Sequence, residues 1–123
     1  MARTIYTAVF FGYLGMEKHM TISFRPSEDE IDATPFGAHV AVRKVGEIAT
    51  DEFSAVAVEP LSDEIPEVKS GQPHITFSTF GDFKPGDIAS RMIEDPSIIN
   101  PARPDIFIGR IGRFMSDGSV QFE

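Results

Sequence analysis

The stretch Lys18-His19-Met20-Thr21-Ile22-Ser23-Phe24 organises the chain, because its pattern returns 55 residues later as Pro73-His74-Ile75-Thr76-Phe77-Ser78. Both copies read His, apolar, Thr, apolar, Ser. Successive side chains of a β-strand point to opposite faces, so His, Thr and Ser share one face and the apolar residues share the other. The repeat predicts two half-domains that each present a polar row to a shared cleft. The apolar residues, Phe24 included, are expected in the core.

Composition limits what the chain can be. With 123 residues, an apolar fraction of 41% and 11 Phe, it can bury a core, and we expect residues 1–123 to form one domain of two small lobes. The absence of cysteine excludes a disulfide framework, Cys-ligated zinc and a Cys nucleophile, and it fits the cytoplasm. No stretch approaches transmembrane length, and the apolar run of residues 5–16 lacks a signal-peptide cleavage site.

The chain is acidic, with a net charge of −8 from 11 basic and 19 acidic residues. A general nucleic-acid binder needs a basic surface to release counterions, so long duplex nucleic acid is not an expected partner. The acidity is uneven, because residues 1–26 carry +2, residues 27–100 carry −10 and residues 101–123 carry no net charge. The two ends of the chain are therefore the parts least repulsive to a phosphate.

Strand, turn and helix signals alternate along the chain. Strands are predicted over residues 4–13, 19–24, 38–47, 53–58 and 73–80, and a final hairpin over residues 105–115 and 119–122. Short helices are predicted after Ser27, an N-cap followed by three acidic residues, and over residues 85–93. Residues 60–72 are predicted as a loop and residues 95–104 as a connector. This order predicts an α+β protein with mainly antiparallel sheet.

Two facing His/Thr pairs suit acid–base chemistry on a phosphodiester. One neutral histidine can accept a proton from water or a ribose hydroxyl, and the other, when protonated, can donate one to the departing oxygen. A threonine two residues along the strand points the same way and can donate a hydrogen bond to a phosphate oxygen. No metal is needed, and the sequence has no His-Glu-x-x-His and no acidic triplet with ligand spacing. We therefore expect no metal site and no cofactor.

The paired His-apolar-Thr motifs resemble those of the 2H phosphoesterase superfamily, and the resemblance spans most of the chain. Members include cyclic phosphodiesterases acting on 2′,3′-cyclic ends, 2′-5′ RNA ligase-like proteins, RNA-end trimming enzymes, and phage or viral enzymes that degrade immune-signalling oligonucleotides. The resemblance implies a bilobal, pseudo-two-fold α+β fold with both motifs lining a central groove. It also implies His19 and His74 as the catalytic pair and Thr21 and Thr76 as the phosphate-holding pair.

Four residues near the motifs are weaker candidates for substrate binding. Tyr6 and Tyr13 lie on or beside the first strand, where either could stack on a base, bond a phosphate or pack at the edge of the core. Lys18 precedes His19 and Arg25 follows the first motif strand, and each could attract phosphate or remain a solvated charge. The loop of residues 61–72 could act as a lid.

Together these features predict a metal-independent cytoplasmic phosphodiesterase. Its expected partner is a small nucleotide or short oligonucleotide, with a 2′,3′-cyclic phosphate, a 2′-5′ linkage or the linkages of a cyclic oligonucleotide messenger. Counter-defence in a virus or phage is one setting, and no membrane is expected. Attack by water opens a cyclic phosphate, whereas attack by a ribose hydroxyl cuts a chain and leaves one. Two alternatives stay open: a nucleotide-binding module that sequesters its ligand in the same groove, and a structural domain with a coincidental motif.

Overall fold

A computed structural model describes residues 2–14 and 18–123, with the side chain of Tyr13 outside the described part. The strands are β1 (Thr4–Phe10), β2 (His19–Phe24), β3 (His39–Ala49), β4 (Phe53–Pro60), β5 (His74–Thr79), β6 (Asn100–Met115) and β7 (Val120–Gln121). The α-helices are α1 (Glu28–Ala33) and α2 (Ile88–Glu94), and single 3₁₀ turns span Gly12–Leu14, Pro85–Asp87 and Pro96–Ile98. Within this part of the chain, no helix is long and apolar enough to cross a membrane.

The strands form one antiparallel sheet in the order β2-β1-β6-β3-β4-β5, with β7 paired to β6. This order contains an internal repeat. One half of the fold consists of β1, β2, α1 and β3, and the other of β4, β5, α2 and β6. Exchanging the halves reproduces the sheet order, because β2 and β5 are its two edges while β6 and β3 are its centre. The prediction of an α+β protein with mainly antiparallel pairing and few short helices is confirmed.

The sheet curls until its two edge strands approach each other, so it is nearly closed. Those edges are the two motif strands. An open edge exposes unpaired backbone groups and invites association with other chains, and bringing the two edges together is one way to cover them. Near-closure therefore also brings the two copies of the motif into one region of the molecule.

The apolar rows of the strands build two clusters. The main core contains Val9, Met20, Ile22, Val42, Val58, Ile75 and Ile111, together with Ile65 and Val68 from the loop before β5. A smaller core packs α2 on β4, through Ile88 and Met92 against Phe53, Ala55 and Ala57. Paired residues of an antiparallel sheet share a face, and His74 pairs with Ala57. His74 therefore lies on the face that α2 covers, whereas Ile75 lies in the main core.

The first half contains the predicted short helix. Ser27 is the N-cap of α1: its Oγ accepts a hydrogen bond from the backbone N–H of Glu30, and the Glu30 carboxylate accepts one from the backbone N–H of Ser27. This reciprocal capping box satisfies two N–H groups that the first helical turn leaves without partners. The helix ends at Ala33, since Pro35 and Gly37 follow. The prediction of a capped, short helix at this point is confirmed.

Several predicted boundaries and positions are wrong. β1 ends at Phe10 rather than at residue 13, and β6 begins at Asn100, inside the predicted connector. Prolines are tolerated near the end of a strand and at irregularities of the ladder: Pro101 pairs with Gly46, and Pro104 lies in the stretch of residues 102–104 that has no paired residue in β3.

Two apolar side chains also face the other way from the prediction. The extra residue of β3 is Val45, beyond the bulge predicted at Arg43-Lys44, and Val45 turns outward. In α2, Ile93 is exposed and Ala89 joins the buried side.

Candidate functional site

Each motif strand carries one β-bulge, and both bulges occupy the same position of the repeat. In β2 the extra residue is Ile22, which follows Thr21. In β5 the extra residue is Phe77, which follows Thr76. A bulge bends its strand and reverses the alternation of faces beyond it. The two halves therefore share a backbone irregularity as well as a motif.

One cavity of about 680 Å³ is lined by His19, Thr21, His74 and Thr76. In both strands the His and Thr precede the bulge, so they share a face as the alternation requires. Each of the four side chains is partly buried. The structure thus brings all four predicted catalytic residues, two from each edge of the sheet, to a single cavity.

An aromatic cluster surrounds the imidazole of His19. The His19 ring stacks on Tyr6, with 4.9 Å between ring centres and 20° between the planes, and the Phe10 ring lies 5.6 Å away. Tyr6 in turn stacks on Phe114, and Phe122 packs edge-on against Phe10. Burial raises the pKa of the Tyr6 hydroxyl, which therefore keeps its proton at neutral pH. These contacts fix the orientation of the His19 ring.

A backbone hydrogen bond fixes the tautomer of His74. Its Nδ1 lies 2.8 Å from the carbonyl oxygen of Gln72, and because a carbonyl only accepts, Nδ1 carries the proton. Burial lowers the pKa of His74, and the bond to Gln72 opposes this shift more weakly. The favoured form at neutral pH is therefore a neutral imidazole whose Nε2 has a lone pair available to accept a proton.

Both bulge carbonyls accept hydrogen bonds from across the gap between the edge strands. Nζ of Lys18 donates to the carbonyl oxygen of Phe77 at 2.8 Å, and its ammonium lies 5.5 Å from the centre of the Phe77 ring. The backbone N–H of Lys69 donates to the carbonyl oxygen of Ile22 at 2.9 Å. Each donor precedes one motif strand and each acceptor lies in the other. The two bonds therefore tie the halves together at the cavity.

The cavity is electropositive although the chain is acidic. Besides the two histidines, its lining within residues 2–14 and 18–123 includes Lys18 and Lys69, and it includes no Asp or Glu. The whole chain, by contrast, has 19 acidic residues and 11 basic ones. A concave site of one charge sign focuses the field and attracts ligands of the opposite sign. The cavity therefore favours an anion.

The four weaker candidates separate into three groups. Tyr6 and Lys18 line the cavity. Arg25 is not among the lining residues, but its guanidinium lies 5.4 Å from the ring centre of Phe24, which does line it. The side chain of Tyr13 lies outside the described part of the chain, and its role stays a prediction.

The bulge in β2 overturns the predicted positions of Ser23 and Phe24. Beyond Ile22 the alternation is reversed, so Ser23 is buried and its Oγ donates to a carboxylate oxygen of Glu30 at 2.7 Å. Phe24 instead turns outward, is 62% exposed and lines the cavity. The predictions that Ser23 shares a face with His19 and that Phe24 packs in the core are both wrong, because strict alternation was assumed through position 22.

Sequence reasoning missed the part of the site outside the two strands. Lys69 and Ser70 reach the cavity from the loop before β5, and three further lining residues come from the 3₁₀ turn before α2 and from α2 itself, namely Pro85, Gly86 and Ala89. The loop is anchored by the buried Val68. The available signal was the apolar Val68 next to Lys69, which is the one lysine of a mainly polar, acidic loop.

No family model matches the chain, and neither a curated protein nor a solved structure gives a significant match. Across residues 2–14 and 18–123, no group of three or more His, Cys, Asp or Glu side chains is arranged to hold a metal ion. The geometry of the cavity is therefore the basis for assigning a function.

Proposed function

We propose that this protein is a metal-independent phosphodiesterase of the 2H type, acting on a small RNA-like phosphodiester. One observation carries the proposal: two edge strands, related by the internal repeat, each contribute a His/Thr pair to the same electropositive cavity. A 2H-like fold is part of the proposal, and the repeated succession of strand, strand, helix and strand supports it.

The proposed chemistry needs one proton acceptor and one proton donor. Nε2 of neutral His74 takes a proton from the attacking oxygen while that oxygen forms a bond to phosphorus. The bond from phosphorus to the leaving ribose oxygen breaks, and His19 in its protonated form gives that oxygen a proton. The lowered pKa of His74 and its Nδ1 bond to Gln72 favour it as the acceptor. The attacking group is water in hydrolysis or a neighbouring ribose hydroxyl in cleavage that leaves a cyclic phosphate.

The threonines stabilise the negative charge on the phosphate oxygens in the transition state. Thr21 and Thr76 are positioned two residues from the histidines on the same faces, and their hydroxyls can donate to the non-bridging phosphate oxygens. Lys18 adds positive charge at the cavity wall, although its Nζ also donates to the Phe77 carbonyl. These donors provide the electrostatic part of the rate enhancement.

Turnover in the presence of EDTA tests the proposal. Purified protein is incubated with 2′,3′-cyclic nucleotides, 2′-5′ oligoadenylate and cyclic di- and trinucleotides, beside His19→Ala and His74→Ala. His39→Ala is the matched control, because His39 is an exposed β3 residue that does not line the cavity. We expect EDTA-resistant turnover that falls about 10²- to 10⁴-fold in either cavity variant and is unchanged in the control. Turnover abolished by EDTA, or equal in all variants, would contradict the proposal.

A non-catalytic nucleotide-binding module is the second candidate. The observation that favours it is the aromatic wall of the cavity, formed by Tyr6, Phe24 and Phe77, since rings of this kind stack on bases. A sequestering module needs neither an acid nor a base. Tight binding of a panel member without turnover, largely retained in His74→Ala, distinguishes it from the enzyme.

A further inference from the structure

The fold holds Phe24, a large apolar side chain, in solvent at the edge of the cavity. It is 62% exposed because the bulge at Ile22 turns it out of the core. Arg25, whose guanidinium lies over the Phe24 ring, is the one non-glycine residue of the described chain with a positive φ, at 52°. Such a backbone conformation is uncommon outside glycine. An exposed ring beside a cation is the arrangement that proteins use to stack on nucleobases.

The other half of the fold lacks this ring. In the repeat, Thr79 of β5 corresponds to Phe24 of β2, and Ser78 corresponds to Ser23. Thr79 and Ser78 are exposed and line the cavity. The two halves therefore differ at this position of the repeat, because β2 presents an aromatic ring to the cavity and β5 presents hydroxyl groups.

The loop before β5 adds a cation and a hydroxyl to the part of the cavity beside Phe24. The backbone bond from Lys69 to the carbonyl oxygen of Ile22 holds this loop against β2, two residues before Phe24. Lys69 and Ser70 both line the cavity and are exposed to solvent. An aromatic ring, an ammonium and a hydroxyl thus line the cavity beside the last residues of β2.

We infer that Phe24, Lys69 and Ser70 form a subsite for the nucleotide next to the scissile phosphodiester, with its base on Phe24 and its phosphate at Lys69 and Ser70. The inference rests on the proposed function. It narrows the substrate to a linear or cyclic di- or oligonucleotide with a second base and a second phosphate. The volume of about 680 Å³ suits such a ligand, because it is in the upper half of the range of about 300–1,000 Å³ for ligand sites.

Binding measured apart from turnover tests the inference. Calorimetric titrations in the His74→Ala background use cyclic di-AMP and linear pApA, which carry two phosphates, and 2′,3′-cyclic AMP, which carries one. We expect the first two probes to bind at least about 10-fold more tightly than the third. Phe24→Ala weakens their binding about 10- to 100-fold, whereas Phe24→Tyr retains most of it. Lys69→Gln weakens it about 5-fold and reduces its dependence on salt.

Two exposed residues outside the cavity serve as controls. Phe80→Ala and Lys84→Gln change an exposed ring and an exposed lysine that do not line this cavity, and both should bind as the parent does. The subsite is overturned if Phe24→Ala behaves like Phe80→Ala, if 2′,3′-cyclic AMP binds as tightly as the two-phosphate probes, or if those probes do not bind.

The result also separates the subsite from the catalytic proposal. Turnover of cyclic di-AMP or pApA by the unmodified protein, with a kcat/KM that Phe24→Ala leaves unchanged, keeps the phosphodiesterase and overturns the subsite. Phe24-dependent binding of the two-phosphate probes, without turnover by the unmodified protein, supports the subsite and contradicts the phosphodiesterase.

Discussion

Nζ of Lys18 donates a hydrogen bond to the backbone carbonyl of Phe77 at 2.8 Å, across the gap between the two edge strands of the sheet. The two residues are 59 positions apart in the chain and belong to different halves of the internal repeat. Phe77 is the bulged residue of β5, so its carbonyl has left the regular ladder with β4 and can accept a partner from elsewhere. The bulge and the lysine together help to close the sheet beside the cavity.

Lys18→Met should therefore weaken the closure, because it removes the ammonium while keeping an unbranched side chain of similar length. We expect the free energy of unfolding to fall by about 1 kcal/mol, because a part-buried charged hydrogen bond is lost and one carbonyl is left unsatisfied. For a chain of this length that corresponds to a decrease of about 4 °C in Tm, measured by calorimetry. Lys84→Met, at an exposed lysine before α2, is the control. Equal Tm values for the two variants would show that the bridge contributes nothing to stability.

Stability should also depend on the protonation of His74. Its pKa in the folded protein is below the ordinary value of 6.5, because burial disfavours the imidazolium. The unfolded chain thus binds more protons in this interval, and the free energy of unfolding falls as pH falls from about 6.5 through the lowered pKa. We expect His74→Gln to remove this part of the pH dependence in a series of thermal melts. His39→Gln, at an exposed strand histidine, should retain it, and a slope unchanged in His74→Gln would contradict the assignment.

Ser23 and Glu30 form a second pH-dependent contact. The hydrogen bond from Ser23 Oγ is the largest cause of the lowered pKa of Glu30, whose ordinary value is 4.5. A carboxyl with a depressed pKa adds stability that is fully present above 4.5 and is lost as pH falls through its folded pKa. Ser23→Ala should therefore raise the pKa of Glu30, which is measured by NMR titration of the Glu30 carboxyl carbon. The decrease in Tm of Ser23→Ala relative to the parent protein should be larger at pH 7 than near pH 3.

A matched control for Ser23→Ala lies in the last hairpin. Ser119 Oγ donates to Asp117 at 2.6 Å and lowers the pKa of that carboxyl in the same way. Ser119→Ala should raise the pKa of Asp117 and leave that of Glu30 where it is. If Ser23→Ala leaves the Glu30 titration unchanged, or if its Tm deficit is the same at both pH values, the contact does not set this pKa.

The sequence predicted the two motif strands of the candidate site but not the β-bulge in each of them. Period-two alternation, repeated around His19 and His74, was enough to predict two motif strands, and both form where expected. Alternation failed one residue beyond each Thr, because a bulge depends on how neighbouring strands pair and has no local signature at Ile22 or Phe77. For this reason the outward position of Phe24 was not predicted.

Contacts that depend on tertiary structure also could not be predicted from the sequence. Lys69 lines the cavity because its loop crosses toward β2. The residues beside Lys69 in the sequence do not indicate which strand this loop contacts. The hydrogen bond that fixes the tautomer of His74 joins it to Gln72, two residues earlier, and depends on the local path of the chain into β5. The sequence shows the net charge of −8, but only the fold shows which basic side chains line the cavity.

The last prediction concerns Gly112, which does not line the cavity yet supports His19. A Cβ at this position would come within 2.8 Å of the Phe122 ring and of the backbone carbonyl oxygen of Gln121, so Gly112→Ala must displace both the ring and the backbone beside it. Phe122 packs on Phe10, and Phe10 lies against His19. Under the proposed function, a small displacement of the acid His19 is costly, so we expect kcat on a phosphodiester substrate to fall about 10-fold, measured well below Tm. The imidazole NMR signals of His19 should shift in the same variant.

The control for this variant is Gly12→Ala, because a Cβ at Gly12 meets no atom within 4 Å and should leave both kcat and the His19 signals unchanged. Pairing Gly112→Ala with Phe122→Ala removes the contact with the ring but not the one with the Gln121 carbonyl oxygen, so the double variant should lose less than the sum of the two single losses in log kcat. Additive losses, or a Gly112→Ala protein that loses stability while its His19 signals stay in place, would mean that Gly112 serves only the packing of the sheet. Recovery in the double variant would instead identify Gly112 and Phe122 as positioning residues for His19.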